Sequence, residues 1–263
     1  MSIAFPIILI AVMGLVAGVG LTLASRYMAI SVDTTVANIN SILPGVNCGA
    51  CGFAGCADYA YAIANDEKVE KNLCPVGGRE LVNEIGVILG LEIEAAERKT
   101  AIVKCGGTYS KTKYIMFFSG LQSCKANTTF YKGRTACEIG CLGYGDCVEQ
   151  CDYGAISIYR GAAKVDKNRC VGCELCIKAC PHHLIEMVTE SSKTHVLCKN
   201  TDPGAVTRTL CSAGCLNCGK CADACKFDAV IIEDNLARID YEKCKNCGLC
   251  VKVCPVKIID LTR

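Results

Sequence analysis

The spacing of the 24 cysteines constrains this chain more than any other feature of its sequence. Two runs share the pattern Cys-x2-Cys-x2-Cys-x3-Cys-Pro, one from Cys170 to Pro181 and one from Cys244 to Pro255. In this pattern three thiolates hold one [4Fe–4S] cubane and the fourth reaches a second cubane. Nine cysteines recur after 74 residues: Cys124, Cys137, Cys141, Cys147, Cys151, Cys170, Cys173, Cys176 and Cys180 become Cys198, Cys211, Cys215, Cys221, Cys225, Cys244, Cys247, Cys250 and Cys254. The chain is therefore predicted to contain a duplicated unit with two cluster sites in each copy.

A secreted disulfide scaffold is the competing interpretation of so many cysteines. Disulfide frameworks have irregular spacing and rarely end a run with Cys-Pro, so the pattern favours cluster ligation. Thiolate ligands also persist only where oxidation to disulfides is prevented. We therefore expect the cysteine-rich part of the chain to lie in the cytoplasm.

Composition narrows the remaining functions. The net charge is +2 and no basic run is present, which gives no support to nucleic-acid binding. No catalytic triad and no paired carboxylates stand at a recognisable catalytic spacing, so hydrolysis has no support. Aromatic residues make up 6% of the chain and Trp is absent, so the clusters are expected to replace part of the hydrophobic core.

An apolar stretch at residues 4–25 contains no charged residue. Its 22 residues exceed the roughly 20 that a helix needs to cross a bilayer. A cleaved signal peptide would carry a basic residue before the apolar run, and none is present. Arg26 follows the stretch, which favours a cytoplasmic location for the C-terminal side. The sequence predicts a single-pass anchor in the cell (inner) membrane.

Four cysteines between this anchor and the duplicated units form a separate motif: Cys48, Cys51, Cys56 and Cys74. They supply the four thiolates of one [4Fe–4S] cluster. The glycines among them let the backbone approach inorganic sulfur closely. Zinc also takes four cysteines, but zinc sites more often use two Cys-x2-Cys pairs. Helices are predicted over residues 57–65 and 78–99.

The ligand sets of the duplicated units follow from the crossed pattern. The second copy gives two sets, Cys215, Cys218, Cys221 with Cys254, and Cys244, Cys247, Cys250 with Cys225. The first copy gives Cys170, Cys173 and Cys176 with Cys151. Its other site is irregular, because Tyr144 stands where the second copy has Cys218. Cys137 is the nearest candidate to complete Cys141, Cys147 and Cys180. The alternative is a three-cysteine site with an easily lost iron, or no cluster there.

Four further cysteines are candidates for additional ligation: Cys105, Cys124, Cys198 and Cys211. Their number fits a sixth cubane, although they are widely separated in sequence. Alternatively, Cys105 or Cys124 completes the irregular site, or these residues are free buried thiols that behave as small apolar side chains. Five [4Fe–4S] clusters are therefore expected, with a sixth open.

Three features together resemble the B subunit family of the Rnf complexes, the membrane-bound ferredoxin:NAD oxidoreductases. They are the uncharged membrane segment, the stretch CGACGFAGCADYA at residues 48–60 with its distant Cys-Pro, and the ferredoxin-like copies. The resemblance covers the whole chain, and the two copies are similar to the extended clostridial type.

This resemblance implies an electron-transfer subunit of an ion-translocating ferredoxin:NAD oxidoreductase, a translocase. Such a subunit takes electrons from reduced soluble ferredoxin and passes them to membrane subunits, while the complex moves Na+ or H+. No Gly-rich phosphate loop follows a strand pattern, so the flavin and NADH sites are expected on partner subunits and no catalytic site is expected in this chain.

The sequence thus predicts an α+β protein with four parts. These are an anchor at residues 1–27, a four-cysteine [4Fe–4S] domain at 28–100, and tandem bacterial-ferredoxin-like modules at 101–190 and 191–263. Two alternatives stay open, an assembly scaffold with structural clusters and a polyferredoxin donor to another membrane or corrinoid-activating reductase.

Overall fold

The computed structural model of the chain describes residues 4–27 and 34–261, which form ten helices and eight short strands. The helices are α1 (Ala4–Tyr27), α2 (Thr34–Ile42), α3 (Cys56–Asn65), α4 (Gly78–Leu89), α5 (Cys124–Tyr131), α6 (Asp146–Glu149), α7 (Leu175–Ala179), α8 (Gly204–Leu210), α9 (Lys220–Asp223) and α10 (Leu249–Val253). The strands are β1 (Lys99–Val103), β2 (Ile156–Tyr159), β3 (Ala162–Val165), β4 (Ile185–Thr189), β5 (Thr194–Val196), β6 (Val230–Glu233), β7 (Leu236–Ile239) and β8 (Ile259–Leu261). The predicted mixture of helix and strand is confirmed.

Helix α1 is, within the described residues, the one helix long and apolar enough to cross a membrane. Its 24 residues extend about 36 Å at a rise of 1.5 Å per residue, which exceeds the roughly 30 Å of a bilayer's hydrocarbon core. The stretch Ile8–Ser25 packs against no other part of the described chain. Length and composition suit a bilayer crossing, and the predicted span at residues 4–25 lies inside this helix.

Helices α2, α3 and α4 pack around a small apolar core. Ile39 of α2, Tyr59 and Ile63 of α3, and Leu81 and Ile85 of α4 are buried there. This three-helix core supports the loop that carries the first four cysteines. Residues 28–33, where the predicted four-cysteine domain begins, lie outside the described residues.

The helix predicted over residues 78–99 is shorter than expected. It ends at Leu89 because Gly90 takes a left-handed conformation, with φ at 67°, and its N–H bonds to the carbonyl of Gly86. Residues 91–98 are not helical, and β1 begins at Lys99. The predicted domain boundary after residue 100 therefore falls inside a strand.

The eight strands form four two-stranded antiparallel sheets. In residues 99–189, here called unit 1, β1 pairs with β4, and β2 pairs with β3 as a hairpin between them. In residues 194–261, here called unit 2, β5 pairs with β8 and β6 with β7 in the same arrangement. The 74-residue sequence repeat thus corresponds to a repeated topology.

Cysteines form part of the core of each unit. In unit 1, Cys147, Cys170 and Cys176 are buried with apolar residues such as Ala101 and Ile185. The core of unit 2 likewise contains buried cysteines: Cys198, Cys211, Cys215, Cys221 and Cys250. The apolar residues described in both cores are aliphatic, and none of them is aromatic, in keeping with the low aromatic content of the chain.

A long connection within unit 1, residues 104–136, follows β1 and contacts unit 2. Its backbone bonds to unit 2 through Lys111, whose carbonyl accepts from Ser212 N–H at 2.8 Å, and through Lys113 N–H, which donates to the Leu210 carbonyl at 3.2 Å. The Lys113 carbonyl also accepts from Ala136 N–H at 2.8 Å, on the unit 1 side. This connection fixes the position of one unit relative to the other.

Candidate iron–sulfur sites

Each of the two units has two loops that carry cysteines, and all four of these loops share one backbone conformation. In each, the residues on both sides of the middle ligand position have positive φ: Gly143 and Gly145, Gly172 and Glu174, Asn217 and Gly219, and Asn246 and Gly248. This conformation turns the chain tightly around the space that the thiols face, and glycine and asparagine tolerate it best. Tyr144 therefore stands at the position that a cysteine has in the other three loops.

Three cavities are lined by the regular sets from the sequence. One is lined by Cys215, Cys218, Cys221 and Cys254, a second by Cys225, Cys244, Cys247 and Cys250, and a third by Cys151, Cys170, Cys173 and Cys176. Their volumes are about 370, 330 and 330 Å³. The structure thus brings each crossed set around one space, with the fourth thiol supplied by the distant loop.

The irregular site is a cavity of about 400 Å³ lined by Cys141, Cys147 and Cys180 together with Cys124. Tyr144 directs its ring against Arg134, whose guanidinium carbon lies 4.2 Å from the ring centroid. The fourth thiol at this cavity thus comes from the long connection, at the start of α5.

Asp146 positions Cys124. Its carboxylate accepts from Cys124 N–H at 2.7 Å and Lys125 N–H at 3.0 Å, and from the Ser123 hydroxyl at 2.9 Å. Burial raises the pKa of Asp146, but the hydrogen bonds from Lys125 and Cys124 outweigh it, so the net pKa is lowered. The carboxylate holds the N-terminus of α5 next to the Cys147 loop.

Cys137, the sequence-based candidate for the irregular site, is not among the residues that line this cavity. It lines a neighbouring cavity of about 430 Å³ with Cys105, Cys198 and Cys211, here called the interunit cavity. The chain turns between Cys137 and Cys141, where Gly140 N–H donates to the Cys137 carbonyl at 2.9 Å. This turn separates the two cysteines, although Cys141 borders both cavities.

The first four cysteines lie in two segments, the glycine-rich stretch that leads into α3 and the connection between α3 and α4, which contains Cys74. Asn47 holds this loop by accepting from Cys56 N–H at 2.8 Å. A Cβ at Gly55 would lie 2.9 Å from the same Asn47 oxygen, so only glycine fits there without a shift. Burial raises the pKa of Cys74, and the nearby thiols of Cys51 and Cys56 raise it further. These three cysteines also pack against the same core of α2, α3 and α4.

The four-cysteine loop packs directly on unit 1. Lys178 Nζ donates to the Cys48 carbonyl at 2.8 Å. Pro75 lies against Gly172, where a Cβ in place of the glycine hydrogen would be 3.4 Å from the proline Cβ. Burial raises the pKa of Cys173 and Cys48 contributes to the shift. The first site therefore adjoins the Cys151, Cys170, Cys173 and Cys176 set.

The donor sets suit cubanes better than single ions. Among the described residues no group of three or more His, Cys, Asp or Glu side chains is close enough to hold one metal ion. A cubane instead spreads four thiolates around four irons. Backbone N–H groups donate to sulfur at Cys151, Cys180 and Cys225, at 3.3, 3.4 and 3.4 Å. Such bonds stabilise cluster thiolates.

Cys147 and Cys176 need a metal to lose their protons at neutral pH. Burial raises the pKa of Cys147 and Cys176 to about 12, and neighbouring cysteines contribute to the shift. Ligation releases these protons, so cluster binding and folding of the loops are coupled. When bound, the clusters supply one-electron redox chemistry that no side chain in the sites provides.

Family profiles match the same three regions. A profile described as a putative Fe-S cluster matches residues 43–76, and one described as a 4Fe-4S dicluster domain matches residues 209–261. A second 4Fe-4S dicluster profile matches residues 136–184 and 169–229. Ferredoxin-like 4Fe–4S domains therefore make up most of the chain after the four-cysteine region.

Three curated relatives resemble the chain over most of its length. The B subunit of the ion-translocating oxidoreductase complex of Methanosarcina acetivorans is 39% identical over 97% of both chains. The B subunit of the Na+-translocating ferredoxin:NAD+ oxidoreductase complex of Acetobacterium woodii is 37% identical over 98% of this chain and 78% of its own. The B subunit of the proton-translocating ferredoxin:NAD+ oxidoreductase complex of Clostridium ljungdahlii is 35% identical over 90% of this chain and 84% of its own.

Proposed function

The chain belongs to the B subunit family of the ion-translocating oxidoreductase (Rnf) complexes, and we propose that it is the electron relay of such a complex. It accepts electrons from reduced soluble ferredoxin and passes them through [4Fe–4S] clusters to membrane partners. Flavin and NADH bind to other subunits. The relatives couple ferredoxin and NAD+ chemistry to Na+ or proton translocation, as their names state.

Five clusters are proposed at sites outside the interunit cavity. Units 1 and 2 are two tandem ferredoxin-like modules with two cubanes each, and the four-cysteine domain carries the fifth. The irregular site takes Cys124 as its fourth ligand, which replaces the sequence-based choice of Cys137. The geometry that supports this exchange is the shared lining of one cavity by Cys124, Cys141, Cys147 and Cys180.

The contact between neighbouring sites supports the relay most directly. Electron transfer between clusters weakens steeply with distance, so a relay needs adjoining sites. The four-cysteine loop touches unit 1 through Lys178 and the Cys48 carbonyl, 2.8 Å apart. Within unit 1, Cys147 of the irregular site and Cys176 of the next site belong to one buried core. The four-cysteine site, the regular site of unit 1 and the irregular site therefore adjoin one after another in space.

The four-cysteine domain lies at the membrane end of this path. It is the first folded domain after α1, so its cluster is placed to deliver electrons to membrane partners. We propose a cytoplasmic location for all cluster domains, because reduced ferredoxin is cytoplasmic and thiolate ligation needs a reducing compartment. Arg26, directly after the apolar stretch, agrees with this orientation.

The proposal is tested by anaerobic reduction of the full chain in lipid nanodiscs with a reduced two-cluster ferredoxin. The nanodiscs are separated from ferredoxin after the reaction, and we expect the visible absorbance of their clusters to be bleached to an extent that rises with the concentration of reduced ferredoxin. Oxidised ferredoxin is the control. Clusters that bleach with dithionite but not with reduced ferredoxin would contradict the relay and favour a structural role.

A further inference from the structure

The interunit cavity is lined by the four cysteines that the five proposed clusters leave over. Cys105 and Cys137 come from unit 1, and Cys198 and Cys211 come from unit 2. Its volume of about 430 Å³ is comparable to the 330 to 400 Å³ of the four other cysteine-lined cavities. Four thiols thus surround a space of the size found at the proposed cluster sites.

Each unit contributes the same two positions to this cavity. Cys105 follows the last residue of β1 by two positions, and Cys198 follows the last residue of β5 by two. Cys137 and Cys211 each precede the first cysteine of a ligand loop, Cys141 or Cys215, by four positions. The cavity is therefore built symmetrically where the two units meet, as expected if both halves close on one group.

The sulfur atoms are held as cluster ligands are held elsewhere in the chain. Cys141 N–H donates to the Cys105 sulfur at 3.3 Å, and Cys215 N–H donates to the Cys198 sulfur at 3.5 Å. A Cβ at Gly107 would lie 3.4 Å from the Cys105 sulfur and 3.7 Å from the Cys211 sulfur. A glycine there leaves room beside two of the thiols for a bulky group.

A buried hydroxyl also points to a missing partner. Thr112 lines the cavity, is 7% exposed, and forms an isolated bridge with Cys211. Its Oγ1 has no hydrogen-bond partner among the described residues. Buried polar atoms are nearly always paired, so this atom requires an explanation. A cluster sulfide in the cavity would accept its proton and satisfy it.

Free buried thiols are the alternative explanation. Reduced cysteine packs as a small apolar residue, and a single buried cysteine needs no ligand. Protein interiors are, however, close-packed, and four small side chains around a cavity leave a void that costs stability. Chance packing also gives no reason for both units to supply cysteines at matching positions.

We propose that Cys105, Cys137, Cys198 and Cys211 hold a sixth [4Fe–4S] cluster that connects the two units. Six sets of four then use all 24 cysteines of the chain. The cluster adjoins the irregular site through Cys141 and the first site of unit 2 through Cys215. Its part in the relay rests on the proposed function, whereas its presence does not. Each electron that passes reduces this cluster as the donor cluster is oxidised, with no other reactant.

The test counts iron and acid-labile sulfide per full chain, purified anaerobically. The wild type is expected to contain about 24 iron atoms, four in each of six cubanes. A variant with both Cys137→Ala and Cys211→Ala keeps two of the four interunit thiols and should lose about four iron atoms. Thr209→Val, at an exposed position of α8 outside the described cysteine-lined cavities, is the control and should keep the full iron content.

Variants that combine substitutions at the interunit cavity and at the irregular site show whether the two cavities hold separate clusters. A variant with Cys124→Ala and Cys147→Ala should also lose about four iron atoms, and the quadruple variant about eight. A quadruple variant that loses only about four would overturn the assignment, because the thiols would then serve one cluster. So would a wild type with about 20 iron atoms that the Cys137→Ala, Cys211→Ala pair leaves unchanged.

A second measurement guards against misfolding and tests the connection. In the Cys137→Ala, Cys211→Ala variant, EPR signals of the other clusters after dithionite reduction should persist, which shows that both units are folded. Electron delivery from ferredoxin to membrane partners should fall at least tenfold. Loss of iron with unchanged delivery would overturn the connecting role, and failure of wild-type reduction by ferredoxin would instead reject the proposed function.

Discussion

The backbone N–H of Cys141 donates to the sulfur of Cys105 at 3.3 Å, so residues of two neighbouring cysteine cavities are in direct contact. The matching contact in unit 2 joins Cys215 N–H to the Cys198 sulfur at 3.5 Å. Each bond runs from the first ligand of a cysteine loop to a thiol that lies just after a strand. The two units therefore face the interunit cavity with equivalent contacts, although only unit 1 contains a long segment like residues 104–136.

If Cys124 supplies the thiol that position 144 lacks, a cysteine introduced at position 144 should compensate for the loss of Cys124. Cys124→Ala should remove one of the four thiols of the irregular site and lower its iron occupancy. Adding Tyr144→Cys should restore it, because Gly143 and Gly145 already have the positive φ values, 70° and 99°, that the regular loops show. Iron content and EPR of the single and double variants measure both effects. Equal iron loss in both would contradict the assignment.

The grouping of the regular cysteines around three cavities could be predicted from their spacing in the sequence. The crossed fourth ligands follow from the same pattern, and the structure brings Cys254 to the Cys215 loop and Cys225 to the Cys244 loop. Sequence register was misleading elsewhere. It aligned Cys124 with Cys198, but the structure places Cys105 at the position equivalent to Cys198.

The irregular site could not be predicted from spacing. Cys124 reaches it only because Asp146 binds the N-terminus of α5, a contact across 22 residues that no motif announces. The end of α4 was in principle readable, since Gly90 is a common helix terminator. The prediction extended the helix because apolar residues continued to Ile93 at helical spacing.

Asp146→Asn is expected to weaken the irregular site without removing a ligand. The carboxylate accepts three hydrogen bonds near a helix start, and its loss should cost about 1–3 kcal/mol of local stability. The measurable result is faster loss of about four iron atoms to a chelator under anaerobic conditions. Asp152→Asn, at an exposed position after Cys151, is the matched control and should leave the rate unchanged. Equal rates for all three proteins would show that Asp146 does not hold Cys124.

Stability should fall at mildly acidic pH because of His195. This side chain is 1% exposed, and burial, with the nearby Lys167 and Lys104, lowers its pKa to about 4. The unfolded chain takes up the proton near pH 6.5 and the folded chain does not, so stability is complete above pH 6.5 and falls between 6.5 and 4. The expected loss is about 1.4 kcal/mol per pH unit in that range.

The His195 effect is measured as the midpoint of thermal unfolding at pH 7.0 and pH 5.5, under anaerobic conditions. His195→Gln has no titrating ring but keeps a polar side chain near Tyr241, whose hydroxyl lies 3.2 Å from His195 Nδ1. The variant should therefore show a smaller decrease than the wild type. Acid lability of the clusters contributes equally to both proteins. The same decrease in both would exclude His195 as the cause.

Charged residues at the interunit cavity should set the reduction potential of the cluster proposed there. Lys104 and Lys199 both line the cavity, and Glu186 lies 3.7 Å from the first ammonium and 3.2 Å from the second. Positive charge favours the more negative, reduced cluster. Lys104→Met should therefore lower the potential and Glu186→Gln should raise it, each by an amount on the order of tens of millivolts.

Redox titration with EPR detection measures these shifts, and the location of the charge decides the interpretation. Lys220→Met is the control, because Lys220 lies in α9 beside a different cluster site. It should leave the interunit signal unchanged. The signal that moves with Lys104→Met should be the one that disappears in the Cys137→Ala, Cys211→Ala variant. A signal that moves but persists in that variant would belong to the irregular site, and Lys104 would then act across Cys141 rather than on an interunit cluster.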